Sequence, residues 1–140
     1  MVFVAAKNLL FSSAHPQLEE LFQYPFLSCG SGCCTRVIFE KNLASRGYTK
    51  ENFKQFIEMS DLDMLLQSLV SEVGVAFLPL ILVSRFVESG QLNTYQFDQM
   101  IHHRSRSLVR PSTVMECSLP CRFAEQIVRF FDEYAAVANG

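Results

Sequence analysis

The sequence lacks an excess of either charge: 12 Lys and Arg against 14 Asp and Glu leave a formal net charge of -2 and a pI near 5.9. Domains that grip a polyanion carry a clustered basic surface, so this balance argues against DNA binding by the chain itself. Charge of any sign is scarce, 19% against 49% hydrophobic residues, which excludes a disordered or solvating segment and leaves ample material for one core. Long apolar runs are missing as well. The longest, Val73 to Val83, is broken by Gly74 and Pro79, and none approaches the roughly 18 residues that span a bilayer. The start, Met1-Val2-Phe3-Val4-Ala5-Ala6-Lys7, has no basic leader, long apolar run and cleavage site in succession. A soluble, cytoplasmic protein with no membrane partner is expected. No internal repeat, low-complexity tract or linker interrupts the 140 residues.

Motifs for metal, nucleotide and catalysis are equally thin. Five cysteines, Cys29, Cys33, Cys34, Cys117 and Cys121, are an odd number in a chain that needs no staples, so reduced thiols are expected. Their C-x3-C-C and C-x3-C spacings fall outside the C-x2-C pairs of most zinc sites, which leaves buried, inert cysteine and no metal. Gly30-Ser31-Gly32 is not followed by the Lys-Ser/Thr of a P-loop and runs on to Thr35 where a dinucleotide fingerprint wants glycine or alanine, so no nucleotide cofactor is expected. No nucleophile elbow, paired-carboxylate pattern or metal-type histidine spacing marks an enzyme. Cys33 or Cys34, at a helix N-terminus that favours a thiolate, is the one enzymatic alternative. His102-His103 reads as a solvated loop pair, and Met59, Met64 and Met100 as packing.

What is present is alternation of strands and helices. Leu62, Leu65, Leu66, Leu69, Val70 and Val73 fall on one helical stripe over Asp61 to Glu72, with Ser60 as its N-cap and Asp63 completing a variant capping box. A helix over Cys34 to Arg46 turns Ile38, Phe39 and Leu43 inward and stops at Gly47. A short one begins at Pro79, buries Leu82, Val83 and Phe86 and ends before Gly90. The last runs from Pro120 to about Ala138, with Phe123, Ile127, Phe130, Tyr134 and Val137 on one face. A helical turn is expected over Gln17 to Phe22. Strands are expected at Val2 to Ala6, Phe26 to Cys29, Phe53 to Glu58, Gly74 to Leu78 and Gln91 to Phe97, and a further one at Ser107 to Arg110. The polar stretch Gln99 to Ser107 reads as a surface connection. Strand-helix order and the wholly apolar Gly74 to Leu78 argue for an α/β layer fold with mostly parallel pairing.

Leu69-Val70-Ser71-Glu72-Val73-Gly74-Val75-Ala76-Phe77-Leu78-Pro79 resembles the most recognisable stretch of LysR-type effector domains. Other pieces follow in that family's order. Val2 to Ala6 is similar to the crossing strand before a His-Pro, here His15-Pro16, and Tyr24-Pro25-Phe26-Leu27-Ser28 to the strand that opens the second subdomain. Ala44 to Tyr48 resembles its helix ending in glycine, Glu88-Ser89-Gly90-Gln91-Leu92 its turn after the short helix, and Phe123 to Phe131 its closing helix. Two departures stand out: Glu72 sits where the family usually has glycine, and Ser107 to Ser118 fits the late strand poorly.

The resemblance implies a type II periplasmic-binding-protein-like three-layer α/β sandwich with a mostly parallel sheet and flanking helices. It implies a single partial effector-binding domain over 1–140, in which 7–105 is mainly the second subdomain and 1–6 with 106–140 are hinge strands and the closing helix. The winged helix-turn-helix is absent, so DNA is a partner only through that missing N-terminal domain. Ligand-sensing in a transcription regulator follows, with a small, anionic effector and self-association as dimer or tetramer. Two rivals share some of these features: a solute-binding protein of the same fold, and a small α/β enzyme using Cys33 or Cys34.

A site is expected where Ser28-Cys29-Gly30-Ser31-Gly32 leads from strand to helix, because such a loop presents backbone N–H groups and a positive dipole end to an anion. The same loop could be an ordinary tight turn. The resemblance adds Ser28 as an effector contact and Pro79 at the mouth of the neighbouring strand, beside Leu78. Ser60 would share its hydroxyl between cap and ligand, although capping alone would explain it.

Overall fold

Strands of four or five residues form one sheet in a computed structural model of the chain, in the order β3-β2-β4-β1-β5. They are β1 (Val2–Ala6), β2 (Pro25–Cys29), β3 (Gln55–Met59), β4 (Val75–Leu78) and β5 (Leu92–Tyr95). The structure describes residues 1–9, 11, 16–98, 100–103, 109 and 119–138, in two units, Met1–Arg104 and Ser105–Gly140. The expected strand at Ser107 to Arg110 lies outside the described residues, apart from Val109, as do His15 and Cys117.

β2 pairs parallel with β3 and β4, whereas β1 runs antiparallel to β4 and β5. The sheet is therefore mixed, with β1 alone reversed against four strands of common direction. Helices α1 (Cys34–Ala44), α2 (Leu62–Val70) and α3 (Leu80–Glu88) connect the parallel strands, and short 3-10 turns cover Leu18–Gln23 and Lys50–Asn52.

Period-2 alternation sends successive strand side chains to opposite faces, and two cores result. On one face Val2, Val4, Ala6, Leu27, Ala76 and Leu78 meet Leu65, Leu66 and Leu69 of α2 and Val83 and Phe86 of α3. On the other Phe3, Phe26 and Phe77 meet Phe39 and Leu43 of α1, with Phe53, Phe97, Leu18 and Leu21 from the irregular segments. The Phe26 and Phe39 rings stack at 3.9 Å and 11°. Gly74 is fixed by this sheet: a Cβ there would stand 2.2 Å from the Pro25 carbonyl oxygen.

The helix ends correct several expectations. The cap of α2 is Asp61, whose carboxylate accepts the Met64 N–H at 2.7 Å, and not Ser60. A carboxylate one residue closer satisfies the same orphan N–H groups and suits the dipole better than a hydroxyl. Leu62, the first residue of α2, and Val73, beyond its last, were expected in the buried stripe and are 39% and 43% exposed. Pro79 is the N-cap of α3 with extended backbone rather than its first helical residue. Leu82 is only partly buried there.

All three connecting helices close with a Schellman arrangement, in which the residue past the C-cap adopts the left-handed conformation. Gly47 (φ +77°) and Gly90 (φ +72°) hold two of those positions, and Glu72 (φ 63°) holds the third. At Glu72 the N–H groups of Glu72 and Val73 donate to Leu69 and Ser68 at 3.1 and 3.0 Å. This is the position at which glycine was expected by resemblance, and the backbone conformation gives the reason.

His102 is not a solvated loop residue. Its ring is half-buried, with Nδ1 2.8 Å from the Met1 carbonyl oxygen and Nε2 3.1 Å from the Phe97 N–H. Buried Asn42 pins the adjacent backbone, accepting the Ile101 N–H at 2.7 Å and donating to the Ile101 carbonyl at 3.0 Å. Met59 and Met100 pack against the cores as expected, while Met64 is 61% exposed. In the second unit, α4 (Leu119–Ala138) is the helix expected from Pro120 to about Ala138; Tyr134 and Val137 belong to it, but their side chains lie outside those described.

Candidate functional site

The C-terminal ends of β2, β3 and β4 lie side by side, and the chain leaves each into a helix. Register brings the expected residues to this one edge. Ser28 pairs with Glu58 and Cys29 with Met59, while Leu27 opposite Ala76 sets Cys29 level with Leu78. Gly30, Ser60 and Pro79 therefore follow at the same level. The helix after β2 covers the aromatic face, whereas those after β3 and β4 cover the aliphatic face. Where adjacent strands send their connections to opposite faces, the loops part and leave a crevice at the carboxyl ends.

The side chains at this edge differ in what they offer. Ser28 is buried, and its hydroxyl donates to the Cys29 carbonyl at 3.0 Å. Cys29 and Gly30 are half-buried, and Ser31 and Ser60 are exposed. The Leu78 side chain is buried in the aliphatic core, so that residue presents only main chain, followed by buried Pro79. The loop closes as a turn, with the Cys33 N–H donating to the Gly30 carbonyl at 3.2 Å and Gly32 in the left-handed region at φ +88°.

Glu58, which spacing in the sequence does not connect to the loop, completes the site. Its Oε1 accepts the Ser31 N–H at 3.2 Å, and its other oxygen pairs with Arg36, which also donates to Glu40 at 2.9 Å. The Arg36 guanidinium lies over the Phe56 ring, 5.1 Å from its centroid. Arg36 first, and then the Ser31 N–H, hold the Glu58 carboxyl below the ordinary carboxylate value, so the contact persists at neutral pH. Of the three helices that leave this edge, α2 alone is capped by a side chain, that of Asp61, while Glu58 holds the Ser31 N–H in the loop before α1. α3 begins at Pro79 with no side-chain cap.

The cysteines differ in exposure and in surroundings. Cys33 is the N-cap of α1, Cys34 is exposed, and Cys29 and Cys33 interact through their thiols across the loop. Burial opposes ionisation of Cys33, but the N–H groups of Thr35 and Arg36, the Thr35 hydroxyl and the Cys29 thiol outweigh it and hold Cys33 below the ordinary thiol value. These N–H groups favour the sulfur without a regular capping hydrogen bond. Burial, then the Cys33 sulfur, pushes Cys29 up to about 11. Among the described residues no cluster of three or more His, Cys, Asp or Glu is arranged to hold a metal ion.

A surface depression of about 280 Å³ lies at the other end of α1, lined by Glu40, Leu43, Ala44, Tyr48, Thr49, Lys50 and Glu51. It is remote from the strand edge and faces the negative end of the helix dipole. Among the described residues no helix is long and apolar enough to cross a membrane.

A family model described as the LysR substrate binding domain matches residues 1–115. A probable RuBisCO transcriptional regulator of Cyanophora paradoxa is 22% identical over 132 residues, covering 89% of this chain and 38% of that protein. Among solved structures, full-length HypT of Salmonella typhimurium, described as a hypochlorite-specific LysR-type transcriptional regulator, superposes with a TM-score of 0.54 and 20% identity. That match covers 97% of this chain and 43% of the other. A putative periplasmic sulfonate-binding protein, SsuA of Methylobacillus flagellatus, matches with a TM-score of 0.55 and 19% identity over 68% of this chain and 27% of its own. These likenesses show a periplasmic-binding-protein-like α/β fold, and the chain spans about two fifths of the curated relative's length.

Proposed function

The chain belongs to the LysR substrate-binding family, and from that premise we propose that it is the ligand-sensing unit of a transcription regulator. The observation that carries the reading is the convergence of Ser28, Cys29, Gly30, Ser31, Ser60, Leu78 and Pro79 on one strand edge, at the point where the helices part to opposite faces. The effector is a small anion, because the site already holds a carboxylate. Glu58 occupies the Ser31 N–H and the Arg36 guanidinium, and an incoming anion would take its place.

In a regulator of the length of the matched relative, residues 7–105 would form the second subdomain and one wall of the cleft. β1 and 106–140 would supply hinge and closing helix, and a separate winged helix-turn-helix would contact DNA. Effector binding would then favour one of two arrangements of a cytoplasmic dimer or tetramer, without catalysis, through its differential affinity for them.

Amide NMR of the chain, titrated with small carboxylates, sulfonates and inorganic phosphate, tests the site. The expected result is saturable movement of the Ser31, Gly32, Ser60 and Leu80 amides, with Glu58→Gln tightening anion binding several-fold by removing the internal competitor. Movement confined to Tyr48–Glu51 would place the ligand in the depression at the far end of α1 instead. No saturable movement with any anion would overturn the anionic reading.

A further inference from the structure

His102 stands where the chain enters the sheet and where it leaves it. Its ring lies against the Phe77 ring of β4, 6.0 Å between centroids, and reaches two backbone groups that are distant in sequence. Nδ1 is 2.8 Å from the carbonyl of Met1, just before β1, and Nε2 is 3.1 Å from the N–H of Phe97, just past β5. A carbonyl only accepts, so Nδ1 carries the hydrogen. In the neutral ring Nε2 then keeps the lone pair that the Phe97 N–H needs.

Helix α1 holds the same segment at two further points. Asn42 takes both backbone groups of Ile101, at 2.7 and 3.0 Å, and Arg46 donates to the Asp98 carbonyl. Phe97 is buried in the aromatic core, and Met1 and Met100 pack against it. This part of the aromatic cover is thus fastened by polar contacts, and one of them runs through a group that titrates.

We propose that His102 is a proton-operated latch: the neutral ring fastens the segment leaving β5 to the start of β1, and protonation loosens that segment from the aromatic face. A proton on Nε2 turns it from acceptor to donor. The Phe97 carbonyl, also 3.1 Å from Nε2, can take the new N–H, but the exchange leaves the Phe97 N–H without its acceptor.

The surroundings give the added charge no partner. At β1 the Met1 amino group donates to the His102 carbonyl, from α1 the charged group is Arg46, and β4 presents the apolar Phe77 ring. Asp98 and His103, in the segment itself, are exposed. Among the described residues no carboxylate is bonded to the ring, so an imidazolium would join two cations without an anion in contact. Histidine changes charge between roughly pH 5 and 8, which sets the range in which the latch works. None of these groups belongs to the loop before α1, so this proposal and the anion site can each fail without the other.

The test is amide hydrogen exchange of the unsubstituted chain at about pH 8 and about pH 5, each rate taken relative to an unstructured peptide at the same pH. Protection of Phe97 and Ile101 is expected to fall about tenfold at the lower pH, as for a donor deprived of its acceptor. Leu27 and Ala76 of the sheet should keep theirs. In His102→Gln, neutral at every pH, the fall should vanish, and in His103→Gln it should persist. The nitrogen-15 shifts of the His102 ring should show the Nδ1–H tautomer at the higher pH, a readout that needs no variant to fold. Protection at Phe97 that holds or rises as the pH falls, an unchanged pH dependence in His102→Gln, or an Nε2–H tautomer would each overturn the proposal.

Discussion

On one face the sheet contributes only valines, alanines and leucines to the buried core, beneath two regular helices. On the other, six phenylalanine rings drawn from the sheet, one helix and irregular segments are packed with Ala5, Val75, Leu18, Leu21 and Leu43. α2 and α3 together offer enough apolar surface that short branched side chains suffice to fill the layer between helix and strand. α1 alone covers only part of its face, and there Phe3, Phe26 and Phe77 from the sheet and Phe53 and Phe97 from the irregular segments surround Phe39 of α1. Phe39 contacts four of them, at centroid distances from 3.9 to 6.2 Å. Where regular cover runs out, larger side chains substitute for it, each burying roughly 150–250 Å².

Substitutions can break or sharpen this contrast. The largest effect is expected where both faces share one backbone: Gly74→Ala forces a Cβ onto the Pro25 carbonyl between β2 and β4. It should cost more than about 4 kcal/mol, read as loss of the cooperative urea transition. Next come the faces themselves. Phe39→Ala should cost about 3–5 kcal/mol and Leu69→Ala about 2–5 kcal/mol. The discriminating quantity is the double-mutant coupling of Phe39 with Phe26, about 0.5–1.5 kcal/mol beyond area burial for a stacked ring pair. Zero coupling would mean the rings act only as bulk.

Asn42→Ala probes the irregular cover. By leaving the Ile101 N–H and carbonyl without their partner it should cost about 1–3 kcal/mol and speed amide exchange at Ile101. On the regular side, Asp61→Ala should cost about 1 kcal/mol, whereas Ser60→Ala should fall within about 0.5 kcal/mol of the parent. Equal losses would reinstate Ser60 as the cap. The smallest change is a gain: Glu72→Gly should raise stability by about 0.5–1 kcal/mol by relieving the left-handed backbone, measured as a higher unfolding midpoint.

The aliphatic face was legible because its cover is periodic. Leu65, Leu66 and Leu69 stand at helical spacing, and Gly90 closes α3 as the turn residues indicate. The aromatic face was not, because Leu18, Leu21, Phe53 and Phe97 come from 3-10 turns and loops that have no repeat to count. The edge was foreseen at Ser28 to Ser31 and Pro79. Arg36, Glu58 and Asp61 were missed there, and for different reasons. Asp61 was displaced by the equally good cap residue before it, a choice that local geometry makes within one position. Glu58 and Arg36 meet Ser31 only through the β2 and β3 register and the helix between them. His102 looked solvated beside His103 because its partners, Met1 and Phe97, are brought to it by the fold.

By itself, then, the sequence determined the elements, their apolar faces, their glycine stops and the family order along the chain, since each depends on residues a few positions apart. Only the tertiary structure decided that β1 runs against its neighbours and that Glu58 answers the Ser31 N–H. Those are contacts between groups that backbone hydrogen bonding and packing bring together, and no local spacing encodes them.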